Sequence, residues 1–214
     1  MPGVEFPFIP ESNGIPLVCD VSSNILTRPI DVNKFGVLFA GAQKNLGCAG
    51  VTVVIVRKSL IGKARLECPS ILNWKTNADA SSILNTPPTF SVYVLSLMLD
   101  WVIENGGVEE MERRSHVKSS RIHNIIDESD DFYCCPVDRQ YRSRVNITFR
   151  VGGKNGDPVV ENLFLSKAKE RGFIGLEGHR SVGGIRVSLY NSITIEDTEK
   201  LALFMIEFLN CHKN

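Results

Sequence analysis

Hydrophobic positions in the first hundred residues come in short unbroken runs, each closed by a polar or glycine-bearing turn. Leu17-Val18-Cys19 stops at Asp20, Gly36-Val37-Leu38-Phe39-Ala40 leads into Gly41-Ala42-Gln43-Lys44, and Val51 to Val56 (VTVVIV) is almost wholly β-branched. Such runs predict strands, and the lack of polar alternation fits strands covered on both faces, as in α/β sheets. Asp20 and Lys44 each fall just past the C-terminal end of a predicted strand, the edge where ligands bind in open α/β sheets. From Ser91 to Glu104 the spacing becomes helical, with Pro87-Pro88 ahead and Gly106-Gly107 behind as start and stop signals. A second helix is predicted over about 108–128; its basic stretch, Arg113, Arg114, Lys118 and Arg121, reads as a solvated helix surface rather than a nucleic-acid stripe.

The second half has a different texture. Strands are predicted over 131–136, 145–151 and about 184–189, with helices over 158–171 and about 195–211, the last carrying Leu201, Phe204, Met205 and Phe208 on one face. The pattern predicts an α/β portion over residues 1–105 and a small α+β domain over 106–214. No internal repeat or low-complexity segment interrupts it.

Composition narrows the function. The chain has 214 residues, 43% hydrophobic and 22% charged, which is ordinary for a globular protein able to bury a core. Its 24 basic residues balance 24 acidic ones, so no overall field favours nucleic acid or an anionic membrane, and binding must come from a local site. No apolar run reaches the roughly 20 residues a membrane span needs, and MPGVEFPFIPESNG has neither the basic n-region nor the apolar core of a signal peptide; a cytosolic protein is expected. Cys19, Cys48, Cys68, Cys134, Cys135 and Cys211 have neither metal-ligand spacing nor the density of a disulfide scaffold, and read as reduced, mostly buried thiols. His116, His123 and His212 have no clustered ligands and read as surface or interface residues, and no metal is expected.

Three groups of residues could carry chemistry. Lys44 sits between a hydrophobic strand and the loop Leu46-Gly47-Cys48-Ala49-Gly50; a partly desolvated lysine there can lose its proton and attack an aldehyde, although a plain surface lysine has the same local sequence. Asp20 ends the neighbouring strand, and a buried carboxylate needs a cationic or hydrogen-bonding partner such as a protonated pyridine nitrogen. The alternative is an Asx turn onto Ser22 and Ser23. The block Gly178-His179-Arg180-Ser181-Val182-Gly183-Gly184-Ile185-Arg186 sets two arginines and a histidine among glycines, which suits carboxylate or phosphate; a basic surface loop is the alternative.

Three blocks in order, LVCDVSSNILTRPIDVNKFGVLFAGAQKNLGCAGVTVVIVR, SSILNTPPTFSVY and EGHRSVGGIRVSLYNSITIED, together resemble the phosphoserine aminotransferase family. They span most of the chain. The resemblance implies the C-terminal part of the large domain of a fold-type I aminotransferase, a homodimer dependent on pyridoxal 5'-phosphate, followed by the small domain. It implies that Lys44 forms the Schiff base with the cofactor, Asp20 meets its pyridine nitrogen and Gln43 helps hold its phosphate. Asn85 and Thr86 would reach the phosphate of the partner subunit's cofactor, an amide and a hydroxyl on a loop stiffened by Pro87-Pro88; a capped helix start is their alternative reading. Arg186 would take the substrate α-carboxylate, and His179 and Arg180 the distal phosphate or carboxylate. The implied substrates are phosphoserine or 3-phosphohydroxypyruvate with glutamate or 2-oxoglutarate, in serine biosynthesis.

Members of the family are longer at the N-terminus, so the chain is expected to lack the glycine-bearing phosphate loop, the residue that stacks on the ring and further substrate contacts. Unpaired strand edges and exposed apolar faces should follow. A non-catalytic fragment or dimerisation partner, or another class-V pyridoxal-phosphate enzyme, are the alternatives.

Overall fold

The computed structural model describes residues 3–179 and 182–213. They form two compact units, one of Ile9–Val108 and one of residues 3–8 together with 109–213.

In the first unit, β1 (Val18–Asp20), β2 (Val37–Gly41) and β3 (Thr52–Val56) make a three-stranded sheet in that order. β1 pairs parallel to β2, and β3 antiparallel to it. Val21, Leu38, Ala40, Ala42 and Leu46 form a small core around the middle strand. The VTVVIV run forms the predicted strand but is not covered on both faces: β3 is an edge strand, and Val54 and Ile55 are exposed. A short helix, α1 (Trp74–Asp79), capped by the Asn73 side chain, has no counterpart among the predicted elements. α2 (Thr89–Glu104) starts just after Pro87-Pro88, as its signals predict, yet only Ser91 and Val102 on it are buried, and Phe90 and Ile103 are 71% and 72% exposed. Asn105 and two glycines at positive φ, Gly106 (95°) and Gly107 (75°), make the turn into the next helix.

The second unit begins its main run with α3 (Gly107–Asp127), which crosses the unit boundary, and continues with β4 (Tyr133–Cys134), β5 (Asn146–Val151), α4 (Pro158–Glu170), β6 (Glu177–His179), β7 (Gly183–Ser188) and α5 (Ile195–His212). The strands form an antiparallel sheet in the order β4-β5-β7-β6. Strict alternation in Asn146-Ile147-Thr148-Phe149-Arg150-Val151 turns Ile147, Phe149 and Val151 into the core and leaves the polar residues on the other face. Tyr133, Phe149, Phe164, Phe204 and Phe208 interlock there, with Tyr133 edge-on to Phe149 at 5.4 Å and its hydroxyl donating to the Met205 carbonyl at 2.9 Å. α4 is opened by Asp157, which accepts from the Val159 and Val160 N–H groups, with Pro158 at the first turn; Thr194 caps α5 through the Asp197 N–H. The N-terminal segment joins this unit through the Val4–Arg142 bridge and the bond from Ser143 N–H to the Gly3 carbonyl at 2.8 Å.

Candidate active site

The parallel pair β1–β2 brings two side chains to one sheet edge. Asp20 is the last residue of β1, and Lys44 lies in the turn after β2 ends at Gly41. Asp20 is exposed rather than buried, because it stands at the open end of a strand. Its Oδ1 accepts from both the N–H (2.9 Å) and the hydroxyl (2.6 Å) of Ser22, while its Oδ2 has no hydrogen-bond partner among the described residues. The Asx-type turn that the sequence left open is therefore present, and one carboxylate oxygen remains available to an external donor.

Ser22 does more than close that turn. Its hydroxyl accepts from the Gly41 N–H at 3.0 Å, tying the end of β2 to the carboxylate end of β1. Lys44 is half-buried, and its Nζ donates to the Ser23 hydroxyl at 2.8 Å. No carboxylate among the described residues pairs with it. The buried Asn45 donates from Nδ2 to the Ser23 carbonyl at 2.8 Å.

Gln43 is exposed and folds its amide across Gly41: a Cβ on Gly41 would sit 2.5 Å from Gln43 Oε1 and 3.0 Å from Nε2. The loop after Lys44 packs on α2. Gly47 (φ 137°) approaches Val94, and Ser91 donates to the Ala49 carbonyl at 2.9 Å. Asn85 and Thr86 lie ahead of Pro87-Pro88, exposed and with side chains that bond to none of the described residues. The structure of this single chain leaves them outside the Asp20–Lys44 hydrogen-bond network.

His179 and Arg186 belong to the other unit, on the β6–β7 hairpin. His179 pairs with Gly183 and is exposed; Arg180 and Ser181 lie outside the described residues. Gly178 packs against the Gly183 backbone so closely that no side chain fits there. Arg186 stands opposite Thr148 on β5, on the sheet face away from the buried Ile185 and Val187. Its Nε is buried, and among the described residues it has no hydrogen-bond partner and no carboxylate pairs with the guanidinium.

Other expectations are corrected. Lys118 is not solvated: it is 2% exposed, and its Nζ donates to the carbonyls of Leu189 (3.3 Å), Tyr190 (2.8 Å) and Ile193 (2.7 Å). Burial, with Arg114 adding, pushes this amine down to about 8. His123 is half-buried, with Nε2 3.2 Å from the Ser143 carbonyl, and burial lowers its pKa. The six cysteines are free, but none is fully buried; five are half-buried and Cys211 is exposed. Ser22, Ser23 and Asn45 contribute bonds to the site that no local sequence signal marks. No helix among the described residues is long and apolar enough to cross a membrane.

A pyridine nitrogen could meet the free Asp20 Oδ2, a carbonyl carbon could meet Lys44, and a phosphate could meet the Gln43 amide, so these residues fit pyridoxal phosphate. Comparison with known proteins identifies the family. The aminotransferase class-V family matches residues 6–201, and the chain belongs to that family. Within it, the likeness is to phosphoserine aminotransferases. That of Drosophila melanogaster is 54% identical over 213 residues, which are 99% of this chain and 58% of the relative. The solved phosphoserine aminotransferase of Bacillus circulans subsp. alkalophilus superposes with a TM-score of 0.93 at 42% identity, over 99% of this chain and 57% of that one. The pyridoxal-phosphate-bound enzyme of Trichomonas vaginalis gives 0.89 at 35%, over 95% and 57%. The fold is thus that of the fold-type I aminotransferases, and the chain spans less than three fifths of the length of these relatives.

Proposed function

We propose that this chain carries the lysine-bearing part of a cytosolic, homodimeric phosphoserine aminotransferase, which exchanges the amino group between phosphoserine and 2-oxoglutarate. The observation that carries the reading is Lys44 itself. An amine at the strand ends, bonded to a hydroxyl and to no carboxylate among the described residues, can serve as a nucleophile and as a base once deprotonated.

Pyridoxal phosphate, when bound, supplies the electron sink that makes a substrate Cα–H bond breakable. The chain's own residues would do the rest. Lys44 Nζ carries the proton to and from the substrate Cα. Asp20 Oδ2 keeps a pyridine nitrogen protonated, the Gln43 amide donates to phosphate, and Asn85 and Thr86 donate to the phosphate in the partner subunit's site. Arg186 would take the α-carboxylate with a guanidinium unpartnered among the described residues, while His179 and Arg180 would bind the distal phosphate of phosphoserine or the distal carboxylate of glutamate. An arginine beside a histidine, both able to donate to phosphate oxygens, suits a phosphorylated substrate better than the small neutral one of another class-V enzyme.

The test is covalent capture and turnover together. The chain with added pyridoxal phosphate should show the visible absorbance of a lysine adduct and convert phosphoserine and 2-oxoglutarate, and Lys44→Ala should abolish both; a variant keeping both sinks the role of Lys44. Relative rates with phosphoserine, serine and alanine check the substrate, since a preference for alanine overturns it. A second reading, a part active only when joined to complementary protein, draws on the exposed apolar residues of β3 and α2. It fails if residues 1–214 alone turn over phosphoserine.

A further inference from the structure

Ser23 stands at the centre of a small closed network. Its hydroxyl accepts from Lys44 Nζ at 2.8 Å, and its carbonyl accepts from the side chain of Asn45, the residue next to Lys44, at 2.8 Å. Ser23 is 8% exposed and Asn45 1%, so both anchors are held where water competes poorly. The backbone around Ser23 is fixed as well: Val21 N–H donates to the Phe39 carbonyl at 2.9 Å, and Asn24 and Ile25 N–H groups both donate to the Val21 carbonyl. One serine earlier, the Ser22 hydroxyl is engaged with Asp20 and Gly41. Two consecutive hydroxyls therefore serve two different strand-end groups, one the carboxylate and the other the amine.

We propose that Ser23 is a positioning residue for the Lys44 amine, holding it at the strand ends in both of its charge states. The inference rests on the reading of Lys44 given under Proposed function and deepens it. A lysine that carries a proton to and fro is at one moment an ammonium and at the next a neutral amine with a lone pair. A carboxylate partner would hold only the first form, and would favour it. A hydroxyl both accepts and donates, so Ser23 takes an N–H bond from the ammonium and gives its own O–H to the neutral amine. The Ser23 hydroxyl proton has no acceptor among the described residues, which leaves it available for that second bond. The Asn45–Ser23 bond keeps the partner in register while the amine changes state, because it joins the backbone of one to the neighbour of the other. Ser23 itself need touch neither cofactor nor substrate.

The hydrogen bond can be read without any cofactor, by trace acetylation of the amines of the intact chain with acetic anhydride and mass spectrometry of the peptides. Lys34, exposed in the same unit, serves as the internal reference. Ser23→Ala should raise the acetylation of Lys44 relative to Lys34 by about fivefold, the ratio set by losing one hydrogen bond of ordinary strength. Ser23→Cys, nearly isosteric but a poor acceptor, should do the same and decides the matter if the alanine variant unfolds. Ser23→Thr, which keeps the hydroxyl, should restore the original ratio. An unchanged ratio in both Ser23→Ala and Ser23→Cys overturns the proposal, as does a parallel rise at Lys34, which would report general loosening. Borohydride trapping of added pyridoxal phosphate on the unmodified chain separates this from the functional reading. A trapped adduct on the Lys44 peptide supports both, whereas its absence overturns the assignment of Lys44 to the cofactor and leaves the acetylation ratio to judge Ser23.

Discussion

Arg186 lies opposite Thr148 on the polar face of its sheet, with a buried Nε that has no acceptor among the described residues. A desolvated donor without an acceptor costs about 1–3 kcal/mol, and an arrangement of that kind persists where a ligand completes it. Arg186→Met should therefore leave the folded chain as stable as before, or slightly more so, while removing its response to dicarboxylates. Denaturant midpoints with and without 2-oxoglutarate check this: the unmodified chain should gain about 2.7 kcal/mol at a ligand concentration a hundred times Kd, and the variant none. An undiminished gain in the variant would remove Arg186 from the site. At this scale Asp20, Lys44 and Arg186 stand out in the sequence as candidates, since a charged residue at the end of an apolar run or among glycines is a local signal. Ser22 and Ser23 could not. Serines after an aspartate read as a turn, and what sets these two apart is their bonds to Gly41 and Lys44, 19 and 21 residues further along.

Among the elements, α3 shows how residue type can mislead where position informs. Lys118 lies on the same helical face as Met111, Ser115, Ile122, Ile125 and Ile126, all buried, yet its charge placed it in the basic stretch. Spacing from Met111 and Ile122 would have been the better guide, because every residue on a helix stripe shares its environment. The buried ammonium holds the turn between β7 and α5 by three carbonyls. Lys118→Met removes a costly charge but orphans the turn, and should destabilise the chain by roughly 2 kcal/mol at neutral pH. The pH dependence distinguishes the two terms. The native amine is lowered to about 8 from an ordinary 10.5, so between those values the unfolded chain binds the extra proton and stability from this group rises with pH. Below about 8 both states are protonated and the rise is absent. Denaturation of the unmodified chain and Lys118→Met at pH 7 and about pH 10 should show their difference widening towards the higher pH; a constant difference would mean that Lys118 titrates normally. Element identity was otherwise well encoded, because apolar spacing and the Pro, Gly, Asp and Thr punctuation of α2, α4 and α5 are local. β3 is an edge strand rather than a covered one, since a β-branched run specifies a strand and says nothing of its neighbours. β6 escaped because three residues, one of them glycine, carry no periodicity.

Over the whole molecule, the two units differ in what holds them. In residues 3–8 and 109–213, β5 lies between β4 and β7, and α5 presses Leu201, Phe204, Met205 and Phe208 into an aromatic cluster. In Ile9–Val108 the buried core is small, Val21, Leu38, Ala40, Ala42 and Leu46, and much of α2 and β3 is exposed apolar surface. Burial of apolar area contributes about 25 cal/mol per Å², so the unit with the smaller core should open at lower free energy. Hydrogen exchange should accordingly show β2 and β3 losing protection before β5, β7 and α5, and denaturant unfolding should resolve into two transitions. Coincident loss of protection in a single transition would show that the units are thermodynamically one. The same experiment locates the cofactor. Asp20, Gln43 and Lys44 all belong to Ile9–Val108, so pyridoxal phosphate bound by them should raise the first transition and leave the second in place. A shift confined to the second transition would put the binding energy with His179 and Arg186 instead, and Lys44 would then need another explanation for its hydroxyl-held, carboxylate-free amine.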